Sequence, residues 1–187
     1  WRRVLGLGVV DTESYDSWLA FLRRVRARGA AGVQLVTSDA HEGLRRAIEE
    51  VFQGAAWQRC VVHLMRDCAR AASGSRSPRR RVSRIVAPVF RLRDAGAAGA
   101  AYHLAIGMLE SCRGDAARNL EEAEPDALAY LDFPASHWKR LRTNNVQERA
   151  NRETRRRSRV VQVFPSVASL ERLAGAVMCD MDEEWQD

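Results

Sequence analysis

The chain has 187 residues, of which 46% are apolar and 29% charged, and its formal net charge is +6. This apolar content is enough for a buried core and argues against a disordered chain. No apolar run approaches the roughly 20 residues of a membrane helix, and no signal-peptide pattern opens the chain, so we expect a cytoplasmic protein without a membrane partner.

The basic residues are almost all arginine, since Lys139 is the single lysine among 30 basic residues. A planar guanidinium suits bidentate contacts with phosphate, although a GC-rich genome produces the same bias. The positive charge favours a nucleic-acid partner. The four cysteines show no regular spacing, which indicates reduced thiols.

The first predicted helix carries the apolar residues Trp18, Phe21, Leu22 and Val25 and ends near Arg28-Gly29. An apolar run from Val33 then leads to Asp39 and into a helical pattern. This order predicts strand, turn and helix, with Asp39 at the carboxyl end of the strand, where functional groups of α/β sheets gather. The alternative is that Ser38 or Asp39 only caps the helix.

A second strand end is indicated by Trp57–Asp67, in which Cys60 and His63 form a C-x-x-H pair. A structural zinc needs about four nitrogen or sulfur ligands, and the other cysteines and histidines offer no matching pair. We therefore favour a pair that packs or hydrogen-bonds near the functional face, with zinc binding as the alternative.

The middle of the chain is predicted to begin with a basic loop, 73–81, and to continue as helices up to about Trp138. One apolar stripe consists of Ala105, Met108, Leu109 and Cys112, and a second one starts after the Glu124-Pro125-Asp126 helix start. We interpret this part as a helical insertion, with an independent helical domain as the alternative.

The segment Thr143–Pro165 places an acid, Glu148, among amides and arginines. In a helix, the residues three, four and seven positions away share its face, and these are Asn144, Asn145, Asn151, Arg152 and Arg155. The alternative is a solvated helix with internal Glu–Arg pairs. The apolar run Val160–Phe164 is expected to anchor the helix end in a core, and a closing helix from Leu170 to Trp185 is expected to pack against the sheet.

Several short patterns occur together in one order: SDAHEGL at 38–44, WQRCxxH at 57–63, TNNxxERxN at 143–151, RRR at 155–157, VFP at 163–165 and EEW at 183–185. In this combination the chain resembles the mutator-type insertion-sequence transposases. The resemblance implies an α/β, ribonuclease-H-like fold, a mixed sheet flanked by helices with an all-helical insertion. It divides the chain into core residues 1–66, insertion 67–137 and core helices 138–187.

The resemblance also implies a site. Asp39 and Glu148 correspond to the second and last acids of an Asp-Asp-Glu triad that binds catalytic Mg²⁺ or Mn²⁺, and they are expected to lie close together. His41, Cys60, His63, Asn144, Asn145 and Asn151 are expected near the site. Basic residues are expected to contact the DNA backbone, namely Lys139, Arg140, Arg142, Arg149, Arg152, Arg155, Arg156, Arg157 and Arg159.

The first acid of the triad is expected upstream of residue 1, because 2–10 resembles the third strand of the fold and Asp11, Glu13 and Asp16 follow it. We therefore expect the carboxyl-terminal portion of a bacterial transposase, inactive alone, that joins element and target DNA as a homodimer in the complete protein. The alternatives are another ribonuclease-H-like nuclease and a noncatalytic DNA-binding or dimerising remnant.

Overall fold

The computed structural model describes the backbone of residues 2–72 and 76–186, and the side chains of all of these except 76–78. The chain is mixed α/β and mostly helical, with a two-stranded parallel sheet in the part described. The strands are β1 (Leu35–Ser38) and β2 (Ala56–Arg59). The α-helices are α1 (Tyr15–Ala27), α2 (Glu42–Val51), α3 (Val61–Ala71), α4 (Arg76–Val86), α5 (Ala95–Glu110), α6 (Gly114–Glu122), α7 (Glu124–Ala127), α8 (Trp138–Leu141), α9 (Asn145–Val161) and α10 (Val167–Glu184).

The fold separates into two compact units that interleave along the sequence. The first unit consists of Trp1–Val33, Glu42–Gln53 and Asn144–Asp187, and the second consists of Gln34–His41 and Gly54–Thr143. None of the described helices combines the length and the apolar character that a membrane span requires. The wider mixed sheet of a ribonuclease-H-like fold stays a prediction.

In the first unit, α1 and α2 pack against each other. Ser14 caps α1 through a reciprocal capping box with Ser17, and the helix ends before Gly29, whose φ of 104° is readily available only to glycine. The buried residues of α2 recur at helical spacing, and they are Leu44, Ala47, Ile48 and Val51. The predictions of the first helix and of strand, turn and helix around Asp39 are confirmed.

Residues 2–10 do not form the strand that the sequence indicated. A strand needs a neighbour whose N–H and C=O groups pair with its own, whereas here the Val4 N–H donates to the Asp182 carboxylate at 2.5 Å. A Cβ atom added at Gly8 would lie 3.3 Å from the Phe21 ring, so this segment runs closely along α1. Its contacts are with helical side chains instead of a strand.

Helices α9 and α10 form a helical pair in the first unit. Ala150 of α9 packs against Val177 and Met181 of α10, so α9 is a packing partner of α10 that the sequence did not indicate. The predicted anchoring of 160–164 in a core is wrong, because Val160 is 84% and Val163 80% exposed. The buried contacts lie nearer the start of α9 and the end of α10, which leaves the turn between them open to solvent.

The second unit contains the sheet, in which β1 and β2 run parallel with Leu35 opposite Ala56 and Ser38 opposite Arg59. Gln58 of β2 is fully buried. Its amide nitrogen donates to the Ala127 carbonyl at 3.0 Å, and its amide oxygen accepts the Tyr130 N–H at 2.8 Å. One polar side chain therefore ties the strand to the helical segments that follow α6.

The main core of the second unit is made by α3 to α6 together with Tyr130 and Trp138, whose rings meet edge to face at 5.6 Å. The helices predicted for this region are confirmed, but the predicted stripe on α5 is wrong at Met108, which is 57% exposed. The buried face of α5 instead runs through Ala98, Tyr102, Ala105, Ile106 and Leu109.

The predicted basic loop at 73–81 is corrected in the part that the structure describes. Residues 76–81 belong to α4, while 73–75 lie outside the described residues. Proline in the first turn of a helix costs no hydrogen bond, so Pro78 does not prevent the helix. The buried Val82 and Val86, one turn apart, give α4 its packing face.

Candidate active site and basic surfaces

Asp39 directly follows β1, at the end of the strand where the sequence analysis placed it. The turn after it is held by the His41 N–H, which donates to the Asp39 carbonyl at 3.0 Å. The buried Ser38 hydroxyl donates to the same carbonyl at 2.9 Å and accepts the Trp57 indole N–H at 2.8 Å. The Ser38 hydroxyl thus bonds within the strand end instead of capping α2.

The Asp39 side chain itself is exposed. No described residue donates a hydrogen bond to its carboxylate, whereas the backbone around it is fixed by three hydrogen bonds. Mg²⁺ and Mn²⁺ bind hard oxygen ligands, and the Asp39 carboxylate offers two such oxygens on a fixed backbone. The residue therefore fits a metal ligand by its donor atoms and accessibility.

Cys60 and His63 lie at the adjacent strand end. Cys60 follows β2, is fully buried, and donates its N–H to the Ser38 carbonyl at 2.6 Å. His63 is half-buried in the first turn of α3, and its Nε2 lies 3.4 Å from the Arg66 guanidinium. Over the described residues, no three histidine, cysteine or acidic side chains are grouped in a way that could hold a metal ion.

Glu148 lies in the first turn of α9, which Asn144 precedes as the flanking residue and Asn145 opens. The predicted helix is therefore confirmed, and Glu148 is half-buried, while Asn145 and Asn151 are exposed. The first turn of a helix has a positive electrostatic potential, which interacts favourably with a negatively charged side chain or ligand. Asp39 belongs to the second unit and Glu148 to the first, so the two proposed metal ligands come from different units.

The arginines of α9 divide into two sets. Arg156 and Arg157 both bond to Glu153 within the helix, at 2.7 and 3.0 Å. The hydrogen bond from Arg156, followed by the one from Arg157, holds the pKa of the Glu153 carboxyl at about 2, far below its usual value. Two further ion pairs reach α10, and they join Arg157 to Asp180 at 2.9 Å and Arg149 to Glu184 at 3.1 Å.

The second set consists of Arg152, Arg155 and Arg159, which are exposed and have no ion pair with any described residue. These positions follow Glu148 at intervals of four, three and four residues, so they continue its face of the helix. Ala150 and Arg157, which contact α10, lie on the opposite face. We call Arg152, Arg155 and Arg159 the free arginine stripe.

The other predicted DNA contacts lie in the second unit. Lys139 and Arg140 are exposed on α8, a short helix held in place by the buried Trp138. Arg142 is half-buried, and its guanidinium donates to the Phe90 carbonyl. Its own carbonyl accepts the Val61 N–H at 3.0 Å. Arg142 therefore has a structural role in joining segments of this unit.

One basic surface was missed by the sequence analysis. It is a groove lined by Arg79, Arg80, Ser83, Arg84, Ala87, Pro88 and Arg91. The groove could have been found from the sequence, because Val82 and Val86 are spaced as on one face of a helix. The many arginine, serine and proline residues around them suggested a loop instead.

Comparison with known proteins gives consistent relatives along the whole chain. Residues 1–187 match the family model described as Transposase, Mutator family. The chain is 40% identical over 185 residues to the transposase for insertion sequence element IS1081 of Mycobacterium tuberculosis, covering 99% of this chain and 44% of the relative. It is 38% identical over 184 residues to the transposase for IS406 of Burkholderia multivorans, covering 98% and 47%.

A third relative is the transposase for IS256 in transposon Tn4001 of Staphylococcus aureus, which is 34% identical over 186 residues, covering 98% of this chain and 47% of the relative. The chain thus spans about half the length of the curated relatives it matches.

Proposed function

The chain belongs to the Mutator family of transposases, and we propose that it contains catalytic residues of an Asp-Asp-Glu enzyme that cleaves and joins insertion-element DNA. The observation that carries this proposal is the face of α9 on which Glu148 is followed by the free arginine stripe. A carboxylate that binds metal and cations that bind phosphate are thus combined on one rigid helix, as phosphodiester chemistry requires.

Each group has a defined task in this proposal. Asp39 and Glu148 offer hard oxygen ligands for Mg²⁺ or Mn²⁺, which when bound stabilises negative charge on the attacking and leaving oxygens. The backbone hydrogen bonds at Ser38 and His41 fix the position of Asp39. The free arginine stripe binds the phosphates that follow the reacting one along the strand. Strand transfer to target DNA, and a homodimer that holds two element ends, belong to the complete protein.

The ribonuclease-H-like fold and the meeting of Asp39 with Glu148 belong to this proposal, since they follow from the family resemblance. The resemblance also places the first acid of the triad upstream of residue 1. Losing one of three anionic ligands weakens metal binding and misplaces the ions. We therefore expect these 187 residues alone to bind DNA without cleaving it, and a version extended upstream to include the first acid to cleave and join.

A strand-transfer assay on a labelled element end tests the role of Glu148. In the extended protein with Mg²⁺, Glu148→Gln should abolish cleavage and joining, because the amide keeps the shape of the side chain but removes its charge. Glu171→Gln is the matched control, since Glu171 is an exposed acid of α10 in the same unit. Mn²⁺ binding, followed by electron paramagnetic resonance, should weaken in Glu148→Gln and in Asp39→Asn but not in the control.

Binding measurements separate this proposal from the alternatives. In EDTA, Glu148→Gln should bind DNA at least as tightly as the parent, so that loss of activity is not a loss of binding. Full activity of this variant would remove Glu148 from the mechanism. On a supercoiled plasmid, nicking without joining by the extended protein would favour a nuclease, and binding without either reaction would favour a noncatalytic remnant.

A further inference from the structure

A second basic surface lies in the second unit, on residues that are remote in sequence from Asp39 and Glu148. The groove has a volume of about 650 Å³, and four of its seven lining residues are arginines, namely Arg79, Arg80, Arg84 and Arg91. The others are Ser83, Ala87 and Pro88, so none of the described residues that line the groove is acidic.

The groove is formed on helix α4, whose position is fixed by buried valines. Val82 and Val86 are completely buried, which leaves Arg80 and Arg84 on the outer side of the helix. Pro88 precedes a short 3₁₀ turn, Val89–Arg91, in which Val89 and Phe90 are both buried. This turn anchors Arg91, so its guanidinium joins the groove from a second, separately packed element.

The positive charge of the groove is not balanced. All four arginines are exposed, and no carboxylate of a described residue forms an ion pair with any of them. Other arginines of the same unit do have such partners. Arg70 lies 3.5 Å from Asp67, and Arg118 lies 3.6 Å from Asp115. Four unpaired guanidinium groups around one groove repel one another, and this repulsion is relieved by a polyanion.

We propose that this groove binds the phosphate backbone of DNA as a contact separate from the free arginine stripe of α9. The inference rests on the proposed function, which makes DNA the polyanion that the protein meets. Arginine forms bidentate bonds to phosphate and its fixed charge does not depend on pH. Of the described lining residues, only Ala87 and Pro88 have apolar side chains, and the rest are arginines and a serine.

The test compares two double variants of the 187-residue chain that lose the same charge. Arg80→Ala/Arg84→Ala removes two groove cations, and Arg70→Ala/Arg118→Ala removes two exposed, ion-paired cations of the same unit. The binding constant for a fluorescent duplex is measured against salt concentration. Each phosphate contact contributes about 0.9 to the slope of log K against log salt, so the groove variant should lose about 1.8 and the control nothing.

Equal slopes for the parent and the groove variant, with normal binding by the parent, would overturn the groove proposal and leave the proposed function intact. A parent that does not bind DNA would contradict the proposed function itself. A third arm uses polyglutamate. If the groove variant loses affinity for polyglutamate but keeps its DNA slope, the groove recognises an acidic polypeptide and the assignment to DNA is wrong. Circular dichroism and thermal unfolding verify that both variants fold.

Discussion

The free arginine stripe predicts a specific change in how DNA binding depends on salt. The perturbation is Arg152→Ala/Arg155→Ala/Arg159→Ala. Its matched control is Arg149→Ala/Arg156→Ala/Arg157→Ala, which removes three charges from the same helix. The control arginines are already bonded to Glu184, Glu153 and Asp180. They must give up these partners before they can bind phosphate, whereas the stripe has none to give up.

The magnitude follows from the number of phosphates contacted. Three contacts contribute about 2.7 to the slope of log K against log salt, at about 0.9 each. Between about 50 and about 200 mM salt, the parent should therefore lose roughly 40-fold more affinity than the stripe variant. The control should keep a slope close to that of the parent. Because these are phosphate contacts, the stripe variant should bind element ends and unrelated duplexes with the same relative loss.

Fluorescence anisotropy with a labelled duplex at several salt concentrations measures both slopes. Thermal unfolding is recorded in parallel, because the control removes ion pairs between α9 and α10, although exposed ion pairs of this kind contribute little to stability. If both triple variants lost the same amount of slope, total charge would govern binding and the division of the arginines would be refuted. If the stripe variant kept the parental slope, these three residues would not be phosphate contacts.

Two further predictions concern a buried side chain of the second unit, Gln58, and an ion-paired carboxyl of the first unit, Glu153. In urea unfolding, Gln58→Leu should lower the free energy of unfolding of the second unit by about 2–5 kcal/mol, because it leaves the buried Tyr130 N–H and Ala127 carbonyl without their partner. The control is Gln53→Leu, which changes an exposed side chain and should have little effect. A loss below about 1 kcal/mol for Gln58→Leu would mean that the two backbone groups find water or other partners. Carboxyl NMR should show Glu153 titrating with a pKa of about 2, and Arg156→Ala should raise it towards 4.5. Because folding lowers the pKa of Glu153, its ion pairs with Arg156 and Arg157 stabilise the protein fully above the unfolded-state pKa of 4.5, and this stabilisation is lost as the pH falls towards 2. Titration of Glu153 near 4.5 in the parent would show that these ion pairs do not form in solution.

Local patterns were sufficient to predict several elements of the fold. The helical spacing in α1 and α9, and the order of strand, turn and helix around Asp39, depend on neighbours within a few residues, so sequence periodicity reveals them. The positions of Asp39 after a strand and of Glu148 in a helix follow in the same way, whereas their roles as metal ligands rest on the family resemblance and stay a prediction. Helix α4 was missed because its local signal is weak, with two buried valines one turn apart in an otherwise polar, arginine-rich segment.

The division of the α9 arginines was beyond sequence reasoning for a different reason. The pairing of Arg156 and Arg157 with Glu153 is local and was anticipated as an alternative, but Asp180 and Glu184 reach α9 from residues 23 and 35 positions away. Which arginines remain available depends on the rotation of α10 against α9. Exposure of Val160 and Val163 is likewise decided by where the contact between these helices ends, which no local pattern records.

Helix α10 explains why the available charge is concentrated on one side of α9. Asp180 and Glu184 neutralise the side of α9 that faces them, while Asp182 binds Arg3 and the Val4 N–H. The remaining cations then follow Glu148 along the opposite face. Under the proposed function, a DNA strand drawn to this stripe would bring its phosphates towards a carboxylate of the same sign, and a divalent cation between the two would remove the repulsion. The same electrostatics account for the opposite effects expected of Glu148→Gln, which relieves the repulsion in EDTA and removes a metal ligand in Mg²⁺.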